Sequence, residues 1–181
     1  MKLTRDLARE KDVMLHTHLA ETLDEEKYCL DKFGLRPFEL MEELEWIGPD
    51  VWFAHAIHLN DEEIRRLNNT GVSHCPSSNM KLGSGICRTS EMIDLGVKLS
   101  IGVDGSASND SSNMWEEIRR AYLLNHLKYG DDCMTSYQIL KTATKGGAEV
   151  LGRNDIGVLD LNKAADIVLI DLKDIAYAGC H

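Results

Sequence analysis

The sequence predicts an α/β fold in which four strand–helix units follow one another, as in half of a (β/α)8 barrel. Four apolar runs alternate with amphipathic segments, a rhythm typical of a parallel sheet with helices outside it. A histidine or an aspartate stands at the end of each run, where barrel strands place their functional groups. A complete barrel takes about 250 residues, whereas the 181 residues here contain four units. We therefore expect half of a barrel.

Each predicted strand is a short run of β-branched and apolar residues between charged or turn-forming segments. The four runs are VMLHTHL at 13–19, VWFAHAI at 51–57, TGVSHC at 70–75 and VKLSIGVD at 97–104. A further run, ADIVLID at 165–171, alternates apolar and polar residues and is not followed by a helix. We expect this last strand to belong to a second, sheet-based module.

Helices are predicted between these strands from the spacing of apolar residues and from capping residues. They cover residues 4–11, two pieces within 22–46 broken near Gly34 and Pro37, 61–69 capped by Asn60 or Asp61, 90–96, 113–128 and 135–151. The segment VSHCPSSNMKLGSG, with its proline and polar residues, is expected to form an elaborate loop after the third strand.

Composition and charge exclude several classes of protein. Hydrophobic residues make up 43% and charged residues 28% of the chain, which indicates a globular protein. Thirty acidic residues against twenty basic ones give a formal net charge of -10, which argues against nucleic-acid and anionic-membrane partners. The sequence contains no apolar run of the roughly 18 residues that a membrane span needs, and its first residues lack a signal-peptide core.

Short motifs exclude other kinds of site. The five cysteines are odd in number and form no CxxC pair, so reduced thiols are expected, and the first residues without a signal-peptide core predict a cytoplasmic location. The sequence has no GxGxxG or GxxxxGK[ST] motif after a strand, which removes the main support for nucleotide binding. It also lacks the PCxxC motif of a cytidine-deaminase-type zinc site.

Two histidine motifs stand at the ends of the first two strands. In HTHLAE, His16 and His18 lie on one face of the strand, and Glu21 follows in the loop above its end. An imidazole there would bind a metal ion, while the carboxylate would move protons. In FAHAIHL, His55 ends the second strand and would orient a water molecule or a substrate oxygen. Taken alone, each histidine is equally well explained as a hydrogen-bonded structural residue.

The fourth strand ends in Asp104, and the small and polar residues that follow it would leave room for a substrate. Taken alone, this aspartate is also a common kind of helix N-cap. Because separate strands deliver His, His and Asp to one rim, a mononuclear metal site is favoured over independent structural residues. His74 and Asn79 follow the third strand and would line the pocket, with no role assigned.

Together these motifs resemble the amidohydrolase superfamily, in the branch of aminohydrolases that act on purines, triazines and related rings. The order HxHLAE, AHxxHL, SHCPSSNMKLGSGI, GVDGSASND and ADIVLIDL runs along nearly the whole chain. Within this branch the segments SGICR, GSASND, ATKGGAEVLGRNDIG and DIAYAGCH are most similar to 8-oxoguanine deaminases. Hydroxy-triazine aminohydrolases and thioadenosine or adenosylhomocysteine deaminases are the near alternatives.

The resemblance implies a role for each strand-end residue. His18 and Asp104 would be the metal ligands for one divalent ion, with zinc preferred to iron. Glu21 would be the proton shuttle that also touches the substrate ring. His55 would orient the attack and contact the substrate, and Asp104 would accept a proton from a metal-activated water. The implied reaction is hydrolytic deamination of 8-oxoguanine to urate and ammonia.

The resemblance also implies the architecture and the setting. Residues 1–153 would form the C-terminal half of a (β/α)8 metal-dependent hydrolase barrel, from about strand five to strand eight. Residues 154–181 would form part of a small β-sandwich module. The partner would be a small purine or related heterocycle, with no nucleic acid and no membrane, and the parent enzyme would be a cytoplasmic homo-oligomer.

One departure from the family pattern concerns the first metal pair. The HxH of barrel strand one is absent, because HTH at 16–18 matches the later HxHxxE motif. We therefore expect a fragment that is inactive in isolation and does not hold zinc alone, since zinc sites normally have at least three protein ligands. An alternative from a different class is a non-catalytic binding or assembly module.

Overall fold

The computed structural model describes residues 1–173, and its centre is a parallel sheet of four strands. The strands are β1 (Leu15–Leu19), β2 (Val51–His55), β3 (Gly71–His74) and β4 (Leu99–Ile101). They lie side by side in chain order, and each neighbouring pair is parallel. All four C-terminal ends therefore meet at one edge of the sheet. The prediction of four strands alternating with helices is confirmed.

Helices connect the strands and follow the last one. They are α1 (Lys2–Glu10), α2 (Leu23–Phe33), α3 (Pro37–Glu43), α4 (Asp61–Arg65), α5 (Pro76–Leu82), α6 (Thr89–Asp94), α7 (Met114–Tyr129), α8 (Ser136–Lys141) and α9 (Gly147–Val150). A 3-10 turn over Gly130–Asp132 follows α7, and a π-helical turn over Thr142–Gly146 joins α8 to α9.

Local sequence explains where several helices begin and end. The Thr22 hydroxyl accepts a hydrogen bond from a backbone N–H in the first turn of α2. Asn60 and Glu63 cap the start of α4 reciprocally, each side chain bonding the other's backbone N–H. Gly34 ends α2 with a φ of 70°, which glycine adopts without steric cost, and Pro37 stands in the first turn of α3. The predicted break between these two helices is confirmed.

The core lies between the sheet and the helices. Val51, Phe53 and Val72 on the strands are fully buried. They share one apolar cluster with buried helix residues, which include Phe38, Ile64 and Met92. Every residue of β3 and β4 is buried, as expected for parallel strands that are covered on both faces. The strand ends are consequently held on a rigid support.

Apart from shifts at helix ends, the helical part of the structure differs from the prediction in two places. The segment expected as a loop after β3 contains α5, because Pro76 fits a first helical turn and Gly83, with φ of 67°, ends the helix. The continuous helix expected over 135–151 is interrupted by the π-helical turn. At Gly146 this turn lies so close to β4 that a Cβ would overlap the backbone oxygen of Leu99.

The strand predicted over 165–171 is not formed within the described residues, and this expectation was wrong. Val168 and Leu169 are exposed at 84% and 91%, so their side chains pack on no sheet formed by residues 1–173. An alternating pattern makes a strand only where another strand pairs with it. The domain boundary between residues 153 and 154 stays a prediction. The ending DIAYAGCH, with Cys180, lies outside the described residues.

Two further features concern membrane spans and thiols. Within residues 1–173, no helix combines the length and the apolar character needed to cross a membrane. Cys29, Cys75 and Cys87 are buried free thiols, and Cys133 is a partly exposed one.

Candidate active site

The C-terminal edge of the sheet collects the side chains that the sequence singled out. In the register of β1 and β2, Leu19 lies opposite His55, so His18 and His55 are brought to the same edge. The two imidazole rings are 5.0 Å apart between centroids and are nearly perpendicular. Asp104 follows β4 by three residues and reaches the same place. The predicted convergence of strand-end residues is present in the structure.

Distances define a compact group of donor atoms. One ligand atom from each of His18, Glu21 and His55 lies within 4.8 Å of the other two. The Nε2 atom of His55 is 3.6 Å from Glu21 Oε2 and 3.7 Å from Asp104 Oδ2. Both separations exceed hydrogen-bonding distance, so neither carboxylate is hydrogen-bonded directly to His55 Nε2, and an ion or a water molecule bound at this edge would bridge these groups.

The backbone at this edge is held in an uncommon conformation. His55 has a φ of 72° and Asp104 a φ of 60°, both in the left-handed region that residues other than glycine rarely adopt. Each such residue costs about 1 kcal/mol or more, and such strain concentrates at functional sites. The backbone N–H of Ala56 donates to Leu19 O over 3.0 Å and helps to hold the turn after β2.

Glu21 is positioned by Glu25, which lies in the first turn of α2. The two Glu25 carboxylate oxygens accept hydrogen bonds from the backbone N–H groups of Ala20, at 2.9 Å, and Glu21, at 2.8 Å. Ala20 also has a positive φ, of 50°. The carboxylate of Glu25 therefore clamps the sharp turn that aims Glu21 at the strand edge.

His55 is buried, and its two ring nitrogens have different surroundings. Nδ1 lies 2.8 Å from the side-chain oxygen of Asn79. Nε2 is buried and has no hydrogen-bond partner within residues 1–173. Leaving a buried polar atom unpaired costs about 1–3 kcal/mol, which a bound water molecule or ion would relieve. The free nitrogen faces Glu21 and Asp104.

Asp104 is held as a carboxylate. Burial raises its pKa, but hydrogen bonding with the Ser78 hydroxyl and the Gly105 N–H acts in the opposite direction, and its pKa is lowered. The Gly105 N–H donates to Asp104 Oδ1 over 2.7 Å. The charged form needed for metal binding or proton acceptance is thus the favoured one.

The loop after Asp104 is anchored by Glu117, a fully buried carboxylate on α7. Glu117 accepts from the backbone N–H of Ser77 at 2.9 Å and from the side-chain amide of Asn109 at 3.0 Å. The same amide donates to Val103 O over 2.7 Å. Arg120 lies 3.3 Å from the Glu117 carboxylate and compensates its charge. This network ties α5, α7 and the Asp104 loop together.

Two other histidines near the motifs have structural surroundings. His16 stacks on Trp52 with ring centroids 3.5 Å apart, and burial lowers its pKa. His58 Nε2 lies 2.9 Å from Ser84 O, in the loop between α5 and α6. The structural explanation of a histidine motif therefore holds for these two residues, in contrast to His18 and His55.

Sequence reasoning missed two residues that support the site, Glu25 and Glu117, and it expected Asn79 to line the pocket without assigning it a role. Glu25 carries a weak signal, because a glutamate three residues after Thr22 is a capping pattern. Asn79 and Glu117 act through contacts across 24 and 40 residues of sequence, with His55 and Ser77 respectively. Sequence spacing does not encode such contacts.

The donor set of this edge suits a divalent metal ion. Imidazole nitrogens and carboxylate oxygens are the ligands that zinc and iron take from such residues. The buried Nε2 of His55 has no hydrogen-bond partner among residues 1–173, so a polar occupant would satisfy it. His18 and Asp104 would hold the ion, and their assignment as ligands stays a prediction.

A comparison with models of protein families shows the family to which this chain belongs. The amidohydrolase family model matches residues 1–179. The chain belongs to the amidohydrolase family. The resemblance that the motifs indicated is therefore confirmed.

Several curated relatives and solved structures are similar to this amidohydrolase chain over nearly its whole length. An 8-oxoguanine deaminase of Pseudomonas aeruginosa is 51% identical over 183 residues, which is 100% of this chain and 41% of the relative. A hydroxydechloroatrazine ethylaminohydrolase of Pseudomonas sp. (strain ADP) is 42% identical over 180 residues, 97% of this chain and 37% of the relative. The amidohydrolase chain thus spans about two fifths of the length of these relatives.

The fold comparison agrees with the sheet topology. An adenosine deaminase structure from Xanthomonas campestris with bound zinc matches with a TM-score of 0.92 and 33% identity, over 99% of this chain and 42% of that one. The expected class, an α/β part of a (β/α)8 hydrolase barrel, is confirmed for this amidohydrolase.

Proposed function

We propose that the protein containing this chain hydrolytically deaminates a purine-type ring, with 8-oxoguanine as substrate and urate and ammonia as products. The observation that carries this proposal is the convergence of Glu21 and Asp104 on the buried, unpartnered Nε2 of His55, beside His18. The 51% identity to an 8-oxoguanine deaminase over the whole chain supports the choice of substrate.

The proposed chemistry assigns one task to each side chain. His18 and Asp104 would hold a divalent ion, zinc in preference to iron, which when bound lowers the pKa of water and polarises the substrate. Asp104, kept as a carboxylate, accepts a proton from the attacking water. His55 receives a hydrogen bond from that water at Nε2 and orients it toward the amino-bearing ring carbon. Glu21 carries protons to the ring nitrogen and to the departing ammonia.

A direct test measures ammonia release by the full protein that contains this chain. We expect Glu21→Gln to lower kcat by about 10²–10⁴-fold, the range that a general acid–base contributes. Glu62→Gln is the matched control, because Glu62 is an exposed carboxylate on α4. Equal kcat values for Glu21→Gln and the unmodified protein would reject the role of Glu21.

The substrate is tested by comparing rings. We expect 8-oxoguanine to be preferred over hydroxylated triazines and over thioadenosine or adenosylhomocysteine. The triazine alternative is favoured by the 42% identical hydroxydechloroatrazine ethylaminohydrolase. A preference for a triazine would transfer the proposal to that class, and no release from any of these rings would favour a non-catalytic module.

We also propose that the isolated 181-residue chain is inactive and does not retain metal. His18 and Asp104 supply two ligands, fewer than the three protein ligands of ordinary zinc sites. Elemental analysis after exhaustive dialysis tests this, with His18→Ala compared with His126→Ala, a change at an exposed histidine on α7. About one zinc or iron per chain that disappears in His18→Ala alone would overturn this proposal.

The setting of the full protein is proposed on the same basis. We propose a cytoplasmic homo-oligomer that acts on a small heterocycle. Size-exclusion chromatography with light scattering and cell fractionation test the two parts separately.

A further inference from the structure

The side-chain amide of Asn79 connects two histidines from neighbouring strands. Asn79 lies on α5, is fully buried, and places Oδ1 2.8 Å from His55 Nδ1. Its Nδ2 lies 3.4 Å from Nδ1 of His74, the buried last residue of β3. The side-chain amide thus has a partner at each end, and the residue itself is fixed in its helix, where the backbone N–H of Asn79 donates to Cys75 O over 3.0 Å.

The direction of these hydrogen bonds determines which ring nitrogen of His55 carries a proton. An amide oxygen only accepts hydrogen bonds, so Nδ1 of His55 must donate and be protonated. The amide nitrogen only donates, so Nδ1 of His74 must accept, which requires a neutral ring. Burial lowers the pKa of His74 to about 3, in agreement with a neutral imidazole.

The consequence is found at the opposite nitrogen of His55. A neutral imidazole protonated on Nδ1 has a lone pair on Nε2. This is the atom that faces Glu21 and Asp104 at 3.6 and 3.7 Å and has no partner among residues 1–173. Two carboxylates close to Nε2 would favour a proton there. Asn79 therefore opposes the tautomer that the rest of the site would select.

We propose that Asn79 is a positioning residue that holds His55 in the tautomer protonated on Nδ1, so that Nε2 accepts a hydrogen bond from the attacking water. The effect on the reaction rests on the proposed function. The tautomer itself does not, and it is measured without substrate or metal. In the other tautomer, Nε2 would donate to the carboxylates and no longer orient the water.

The decisive experiment reads the tautomer by NMR. The metal-free full protein that contains this chain is labelled with ¹⁵N-histidine, and long-range ¹H–¹⁵N correlations distinguish protonated from unprotonated ring nitrogens. His55→Gln assigns the signals by their loss. We expect Nδ1 to be protonated in the unmodified chain. A proton on Nε2 in the unmodified chain would overturn the proposal without any variant.

Two variants separate a hydrogen-bonding role from a packing role. Asn79→Leu keeps a branched side chain of the same length and removes the acceptor, so we expect the His55 proton to move to Nε2. Asn79→Asp keeps an acceptor at the same place, so we expect the Nδ1 proton to be retained. The matched control is Asn125→Leu, at another buried amide, which accepts from the Met134 N–H at 2.6 Å. An unchanged tautomer in Asn79→Leu contradicts the proposal.

Kinetics of the full protein that contains this chain test the functional part. We expect Asn79→Leu to lower kcat by about 10²-fold with little change in KM, because a correctly oriented acid–base group contributes at least that much. Asn79→Asp should recover part of the loss. A shifted tautomer with unchanged kcat would overturn the positioning role. Absence of deaminase activity in the unmodified protein would instead reject the proposed function and leave the tautomer assignment intact.

Discussion

The buried histidine of β3 makes a quantitative prediction about acid stability. His74 is 3% exposed, and burial lowers its pKa to about 3, below the value of about 6.5 for a histidine in an unfolded chain. The unfolded state therefore takes up a proton at a pH where the folded state does not. The stability contributed by neutral His74 is complete above pH 6.5 and is lost as the pH falls from 6.5 toward 3.

The size of the effect at pH 5 follows from the unfolded state alone. A pH of 5 is about 1.5 units below the pKa of a histidine in the unfolded chain. At 1.36 kcal/mol per unit, protonation stabilises the unfolded state by about 2 kcal/mol. Folded His74 stays neutral at pH 5 because its pKa is about 3. Between pH 8 and pH 5, the free energy of unfolding should therefore fall by about 2 kcal/mol on account of His74.

The assay compares urea unfolding at pH 8 and pH 5 in the unmodified chain and in His74→Asn. The asparagine oxygen replaces the Nδ1 acceptor for Asn79 but does not titrate. Cavity effects of the substitution are present at both pH values and cancel in the difference. We expect the variant to lose about 2 kcal/mol less than the unmodified chain. His126→Asn, on an exposed part of α7, is the control. Equal losses in His74→Asn and the unmodified chain would refute the reasoning.

Three further predictions concern packing and support of the site. Gly146→Ala should destabilise the chain by about 1–3 kcal/mol in urea unfolding, because its Cβ would overlap Leu99 O. Gly147→Ala, where a Cβ meets nothing within 4 Å in the described chain, should leave stability unchanged or raised. Glu117→Leu removes the carboxylate that accepts from the Ser77 N–H and the Asn109 amide, so the free energy of unfolding in urea should fall by about 2 kcal/mol. The control is Glu116→Leu, at a more exposed glutamate of the same helix. Glu25→Gln should weaken the hydrogen bonds that hold the Glu21 turn and lower kcat of the full protein. A crystal structure in which this turn is unchanged, or a kcat close to that of the unmodified protein, would contradict this prediction.

The strands and the edge residues were predictable because their signals are local. A parallel strand buried on both faces is a short apolar run, and its register follows from pairing at a common edge. His18, His55 and Asp104 could therefore be placed together from the sequence. Helix ends at Thr22, Gly34 and Asn60 were also predictable, since capping acts within a few residues.

Two expectations failed, one because a strand depends on a distant partner and one because local helix signals at Pro76 and Gly83 were not weighed against a polar composition. The run at 165–171 alternates correctly, but a strand forms only when a neighbour supplies hydrogen bonds, and within the described residues it has none. The segment after β3 was expected to be a loop from its polar composition, yet α5 forms there and its residues Ser78 and Asn79 are buried against the site.

The sequence by itself determined the α/β class, the order of the strands and the identities of the side chains at their ends. Periodicity, capping and charge depend on residues that are close in the sequence, so the sequence alone is sufficient to detect them. Only the tertiary structure decided how those side chains are held. The Asn79 amide selects a proton position on His55, and Glu117 fixes the loop of Asp104, through contacts between residues 24 or more apart in the chain. Such contacts arise because close packing brings separate elements together, and their hydrogen-bond directions are set by geometry that sequence spacing does not contain.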